Sequence, residues 1–282
     1  MKTSNHLLRR LTAALLAAVL ALSIALPVFA SDDGDTIYIN SVSDLLSLAR
    51  SCAYDQWSVG KTVILQKDLS LEGMLWEPIP SFSGQFKGNG HTISDLTITG
   101  QYSPAGLFGI VEEQGSIESL SVRGIVSVSD SADTTTGGIV GINHGTLINC
   151  QFTGVVTGDS EVGGIVGRNE SEGTIDHSTA RAIVTGKSST GGIAGYNLGA
   201  ITGCTNVGSI NTEYQEASLD TDGFTAKMVD QINNKIAAAD DDATNSVTNV
   251  ATDTGGIAGR SSGMILTSVN TGTVGYEHIG YN

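Results

Sequence analysis

Glu161, Arg168, Glu170, Glu172, Asp176, His177 and Arg181 form the densest titratable cluster in the chain. Paired carboxylates, or a carboxylate beside Lys or Arg, are what a polysaccharide hydrolase or lyase needs in one cleft. Charged residues are few elsewhere, and none recurs at a matching position in an adjacent repeat. The cluster therefore reads as a solvated turn. Asp220-Thr221-Asp222-Gly223 resembles the opening of a calcium loop but lacks the later ligands and the closing glutamate. With Asp240-Asp241-Asp242 nearby, it reads as a helix cap and an acidic loop. The five histidines are scattered, and no pair has metal-ligand spacing. There is no Ser/His/Asp set, phosphate loop or zinc motif. No catalytic, cofactor-binding or metal-binding residue is assigned, and the chain is expected not to be an enzyme.

The elements around these residues are repetitive. Gly137-Gly138-Ile139-Val140-Gly141 recurs at Gly163–Gly167, at Gly191–Gly195 with Ala194, and at Gly255–Gly259 with Ala258; Ala105–Gly109 is a degenerate copy. Start-to-start spacings are 32, 26, 28 and 64 residues, the last equal to one unit plus an insertion. Asn143, Asn169 and Asn197 share one position, where Ser261 stands in the last copy; Gly145, Gly173, Gly199 and Gly263 mark the next turn. Alternating small, β-branched and polar residues follow in each copy, a strand signal. Such units, with two or three short strands each, predict an all-β parallel β-helix, each coil adding about 4.8 Å of length.

Cys150, Ser178, Cys204 and Ser268 lie five residues past the turn glycines, as a small inward ladder would. Cys150 and Cys204 are two coils apart, about 9–10 Å, beyond disulfide reach. Both are expected to be buried free thiols, and Cys52 has no evident partner. Ile139, Ile165, Ile193 and Ile257 read as a core ladder. Phe152, Ala180, Asn206 and Asn270 form another, whose direction the residue types leave open.

Residues 1–30 read as a signal peptide: Lys2, Arg9 and Arg10 precede the Leu/Ala-rich run Leu11–Leu26 and the small-residue site Val28-Phe29-Ala30. Cleavage would turn the formal charge of −15 into −18, because those three cations are the only charges removed. An acidic chain without a basic groove excludes nucleic acid as a partner. No other apolar run is long enough to hold the mature chain in a membrane. Residues 31–100 are expected to be a mixed N-terminal cap and lead-in, with Ser41 or Ser43 capping a helix through Asp44–Arg50. Residues 101–282 are expected to be coils, interrupted over about 213–253 and continuing beyond Asn282. Within the insertion, Phe224, Met228, Ile232 and Ile236 recur every fourth residue, predicting an amphipathic helix against the coil flank.

The Gly-Gly-Ile-Val-Gly-x-Asn elements, together with Gly88-Asn89-Gly90-His91-Thr92-Ile93 and Gly106-Leu107-Phe108-Gly109, resemble the GLUG motif of bacterial surface proteins. The resemblance covers about residues 75–275. It implies an extracellular or cell-surface role and carries over no catalytic residue; GLUG-containing chains include adhesin-like proteins and secreted peptidases with a separate catalytic module. The expected function is a secreted, non-catalytic adhesive or structural scaffold, with glycans or surface proteins as partners. The alternatives are a carbohydrate-active β-helix enzyme, or the stalk of a larger protein whose catalytic module lies elsewhere.

Overall fold

The computed structural model describes residues 35–54, 56–128, 134–212 and 252–275. The expected signal peptide, the Asp220 and Asp240 acidic motifs and nearly all of the insertion lie outside them. The described residues from Ile37 onward make one unit, a parallel β-helix. Each full coil runs through four strands, more than the two or three that the repeat length suggests. In the coil over residues 160–185 these are Ser160–Gly163, Val166–Asn169, Thr174–Asp176 and Thr179–Thr185. Stacked coils turn these into four parallel sheets, I to IV in that order, with four, six, eight and eight strands.

The glycines of the repeated pentapeptide are there because backbones meet. A Cβ on Gly163 would stand 1.9 Å from the Val166 carbonyl oxygen, and one on Gly164 2.2 Å from that of Gly192. The third glycine lies under the bend of the preceding coil: a Cβ on Gly195 would stand 2.3 Å from the Glu161 carbonyl carbon, and one on Gly259 as far from that of Ser189. No other residue fits a turn this tight.

Between the glycines, Ile139, Ile165 and Ile193 point inward and are fully buried. Ile117, Leu147, Ile175 and Ile201 form a second in-register ladder in sheet III, also fully buried. Each such side chain contributes roughly 1.5–3 kcal/mol of hydrophobic stabilisation. Phe152, Ala180 and Asn206 share a register and are all buried, so the ladder of open direction faces the core. Asn206 is accommodated because its Nδ2 donates to Asn270 Oδ1 at 2.7 Å. The asparagines of sheet II do the same: Asn143 Nδ2 donates to Asn169 Oδ1 at 2.8 Å, and Asn169 Nδ2 to Asn197 Oδ1 at 2.9 Å. Cys150 and Cys204 sit in the expected small ladder, where the Ser178 hydroxyl accepts from Cys150 N at 3.1 Å; both are free and buried, as is Cys52.

The segment expected as a mixed cap and lead-in contributes one helix and strands that continue the same sheets. Thr62–Leu65 and Gln85–Lys87 extend sheet III, Ile79–Phe82 extends sheet II, and Leu69–Ser70 and Thr92–Gly100 extend sheet IV. These coils have no strand in sheet I and no paired glycines. They are filled by Trp76 and by Phe82, Phe86 and Phe108, whose ring centroids lie 5.4–6.3 Å apart. Helix α1 (Val42–Ser51) packs beside strand Ile79–Phe82 and buries Leu45 and Leu48. Ser41 is its N-cap, accepting from Asp44 N at 3.2 Å, while Asp44 Oδ2 accepts from Asn40 N at 2.9 Å. At the other end, Thr252–Gly255 is already a strand of sheet I, so the insertion ends before Thr252.

Candidate binding surface

Sheet II presents one outward ladder to solvent: Ser81, Ile110, Ile142, Arg168, Tyr196 and Arg260, one from each coil. Beside it, the bends of sheet I carry Thr135, Glu161, Ser189 and Asp253. The last three hold left-handed backbones, with φ of 49, 46 and 54°. That conformation costs a non-glycine residue about 1–2 kcal/mol. At Glu161 and Ser189 the bend crosses the third glycine of the following coil, Gly195 and Gly259.

The corner brings together residues that sequence separation keeps apart. Arg168 Nη1 lies 2.7 Å from Glu161 Oε1 and Arg168 Nε 2.6 Å from Glu170 Oε1. Thr135 Oγ1 donates to the other oxygen of Glu161 at 3.1 Å. The Arg168 guanidinium lies 4.9 Å from the centre of the Tyr196 ring, and that of Arg260 lies 5.6 Å from it. Partial burial works against the charge on Arg168, but hydrogen bonding and attraction from Glu170 and Glu161 outweigh it and hold its pKa above the ordinary value. Ser160, Ser188 and Ser189 line the adjoining groove, a space of about 430 Å³. A hydroxyl-lined groove beside an aromatic ring and guanidinium groups suits a polar ligand held by hydrogen bonds and stacking. The two carboxylates are engaged by Arg168 rather than set opposite each other for acid–base work.

The rest of the sequence cluster disperses. Glu172 is exposed at the corner before sheet III, its pKa lowered by the Ser171 hydroxyl and then by its own backbone N–H. Asp176 and His177 pair at 2.9 Å at the next corner, and Arg181 stands on the outer face of sheet IV. A single coil turns several corners, so neighbours in sequence face different ways. Sequence reasoning missed Thr135, Tyr196 and Arg260. A signal for the last two existed: Ile142, Arg168, Tyr196 and Arg260 each follow the third glycine of the repeat directly. Among the described residues, no group of three His, Cys, Asp or Glu side chains is placed to hold a metal ion. No helix among them is long and apolar enough to cross a membrane.

Comparison with known proteins bears on this coil directly. Residues 158–185, the coil that carries Glu161, Arg168 and Glu170, match the family model of the GLUG motif. Halomucin of Haloquadratum walsbyi is 32% identical over 155 residues, an alignment covering 50% of this chain and 2% of halomucin. A Gly-rich protein of Evansella cellulosilytica, described as a candidate membrane protein, is 29% identical over 137 residues; 35% of this chain and 16% of that protein are covered. The chain thus spans a small part of the relatives it matches. A crystal structure of a candidate immunoglobulin A1 protease from Bacteroides ovatus superposes with a TM-score of 0.58 at 19% identity, covering 85% of this chain and 66% of that one. At this identity the likeness shows a shared fold. The chain carries a match to the GLUG motif over residues 158–185, and that match is one full coil of a parallel β-helix.

Proposed function

We propose that this chain is an exported, non-catalytic scaffold of the cell exterior that offers its stacked outer ladders to glycans or surface proteins. The observation that carries this reading is in-register repetition. One outward position on sheet II recurs in six coils, at intervals of about 4.8 Å along the rod. An extended polymer laid along the axis meets this ladder repeatedly, and modest contacts then add up. The signal-like residues 1–30 and the resemblance to halomucin and to a protein described as membrane-associated support an exterior location.

The test is retention of residues 31–282 on immobilised polysaccharides, mucin-type glycans and matrix proteins, with the bound material analysed afterwards. Saturable retention of unchanged ligand, weakened by the double variant Tyr196→Ala/Arg260→Ala, is the expected result. New reducing ends, unsaturated ends or peptide fragments would overturn the non-catalytic reading. Failure to retain any ligand would overturn the adhesive one.

A further inference from the structure

On the outer face of sheet IV the first coils depart from the regular ladder. Strand Thr92–Gly100 carries a bulge against Ser121–Val128: the register shifts between Ile93 and Leu96, so Ser94 and Asp95 together oppose Arg123. A bulge re-aims side chains that alternation would send to opposite faces. Asp95 holds a left-handed backbone there, with φ of 60°. Its Oδ2 accepts from the hydroxyls of Ser94 at 2.8 Å and Ser70 at 2.6 Å. Asp68, which precedes strand Leu69–Ser70, is fixed in a similar way. Its Oδ1 accepts from Thr92 N at 2.9 Å and lies 3.1 Å from His91 Nδ1. Those contacts, the Thr92 N–H first, hold the Asp68 pKa below the ordinary carboxylate value. Each carboxylate is thus anchored through one oxygen. Among the described residues no donor reaches the other, Asp95 Oδ1 or Asp68 Oδ2.

These groups border a groove of about 400 Å³ lined by Asp68, Leu69, Ser70, Thr92, Ser94 and Arg123. Arg123 is exposed, and among the described residues it makes no hydrogen bond and no ion pair. The groove therefore sets an unengaged guanidinium against two carboxylate oxygens that are held in place but not used. Carboxylate oxygens accept from hydroxyls, and a guanidinium takes a carboxylate through two parallel hydrogen bonds. We propose that this groove binds an acidic sugar, a hexuronic acid unit of a polysaccharide, whose carboxylate pairs with Arg123 while its hydroxyls donate to Asp95 Oδ1 and Asp68 Oδ2. Both features of such a sugar are needed. A neutral sugar leaves Arg123 unmatched, a simple anion meets two carboxylates, and a cation meets the guanidinium. The groove lies on sheet IV, apart from the sheet II ladder, and the assignment does not rest on the role proposed for that ladder.

The experiment titrates residues 31–282 with oligogalacturonate, and with the same oligomer reduced at its carboxyl groups, in buffer containing EDTA. The acidic oligomer is expected to bind saturably, and the reduced one about tenfold more weakly, the worth of one charged hydrogen-bonded pair. Arg123→Gln should remove that preference. Asp95→Asn, a residue that also tolerates the left-handed backbone, should weaken both oligomers. Tyr196→Ala/Arg260→Ala should change neither, which separates the groove from sheet II. Equal affinity for the two oligomers, a preference that survives Arg123→Gln, or no binding of the acidic oligomer would overturn the proposal. Loss of binding in Tyr196→Ala/Arg260→Ala would overturn it as well, by moving the oligomer to sheet II. Binding seen only when calcium replaces EDTA would do the same, since a metal ion rather than Arg123 would then hold the carboxylate. Should Asp95→Asn open the fold, read as reaction of the buried Cys52, Cys150 and Cys204 with a maleimide, Arg123→Gln decides alone, because its exposed side chain ties down nothing among the described residues.

Discussion

At Asn143 the asparagine ladder runs out of partners. The residue in register one coil earlier is Val111, and the buried Asn143 Oδ1 accepts no hydrogen bond. A buried acceptor left unmade costs about 1–3 kcal/mol. Val111→Thr, nearly isosteric, places a hydroxyl in reach and is expected to raise stability by about 1 kcal/mol, read as the urea midpoint. An unchanged or lower midpoint would show that Asn143 is not the weak end of the ladder. Mid-ladder, Asn169→Leu strips a partner from both Asn143 and Asn197 and is expected to cost about 2–4 kcal/mol. The cysteines make a pH prediction. Burial pushes the Cys150 thiol up to about 12 and the Cys204 thiol up to about 11. Both folded values lie above the unfolded one, about 8.5, so the native state holds its protons longer. Stability is therefore full below about pH 8.5 and falls as pH rises toward the folded values. Serine occupies this ladder at Ser178 and Ser268, so Cys150→Ser/Cys204→Ser is expected to fold and to lose less stability than the native chain between pH 8 and pH 10.5.

The element that defines the coil is the bend of sheet I crossing a glycine of sheet II. Gly195→Ala sets a methyl group 2.3 Å from the Glu161 carbonyl carbon, which belongs to backbone and cannot rotate aside. Opening the corner is expected to cost more than about 2 kcal/mol and to loosen the Arg168 pairs with it. Unfolding curves for Gly195→Ala, beside those for Ala194→Gly at a fully buried neighbour that needs only to lose a methyl, separate this clash from a general sensitivity of the strand. The glycine motif was legible because the same crossing recurs in every full coil. The first coils were not, since Trp76, Phe82 and Phe86 fill a space that they enclose without paired glycines, leaving no repeat to count. The inward direction of Phe152, Ala180 and Asn206 was likewise hidden. A ring, a methyl and an amide share no polarity, and only the amide-to-amide bond from Asn206 to Asn270 makes a buried asparagine acceptable. The Arg168 network was half visible. Its three members stood out as charged residues, but Glu161 and Arg168 meet across a corner that neither strand nor helix periodicity describes, and Tyr196 comes from the next coil.

Across the whole molecule, in-register stacking sets an electrostatic problem that the ladders solve by alternation. Identical charges in adjacent coils would stand about 4.8 Å apart, repelling by about 0.9 kcal/mol in water; two coils apart the figure falls to about 0.4, before salt screens it. Adjacent repeats carry no like charge in register in these ladders; like charges recur at every second coil. Arg123 and Arg181 are separated by Thr153, Arg168 and Arg260 by Tyr196, and Glu118 and Asp176 by Ile148. Where charges do neighbour each other they are opposite, as with Lys87 beside Glu118 and Lys187 beside Asp159. Ile148 stands between two carboxylates with its side chain partly in water, which makes it the position to test. Ile148→Lys is expected to stabilise by about 0.5–1 kcal/mol at low ionic strength and Ile148→Glu to destabilise by a similar amount. Both effects should shrink in 1 M salt, where the Debye length falls to about 3 Å. Were the gap between the two variants to survive 1 M salt, strand preference rather than charge would govern the position. The every-second-coil pattern would then owe nothing to repulsion.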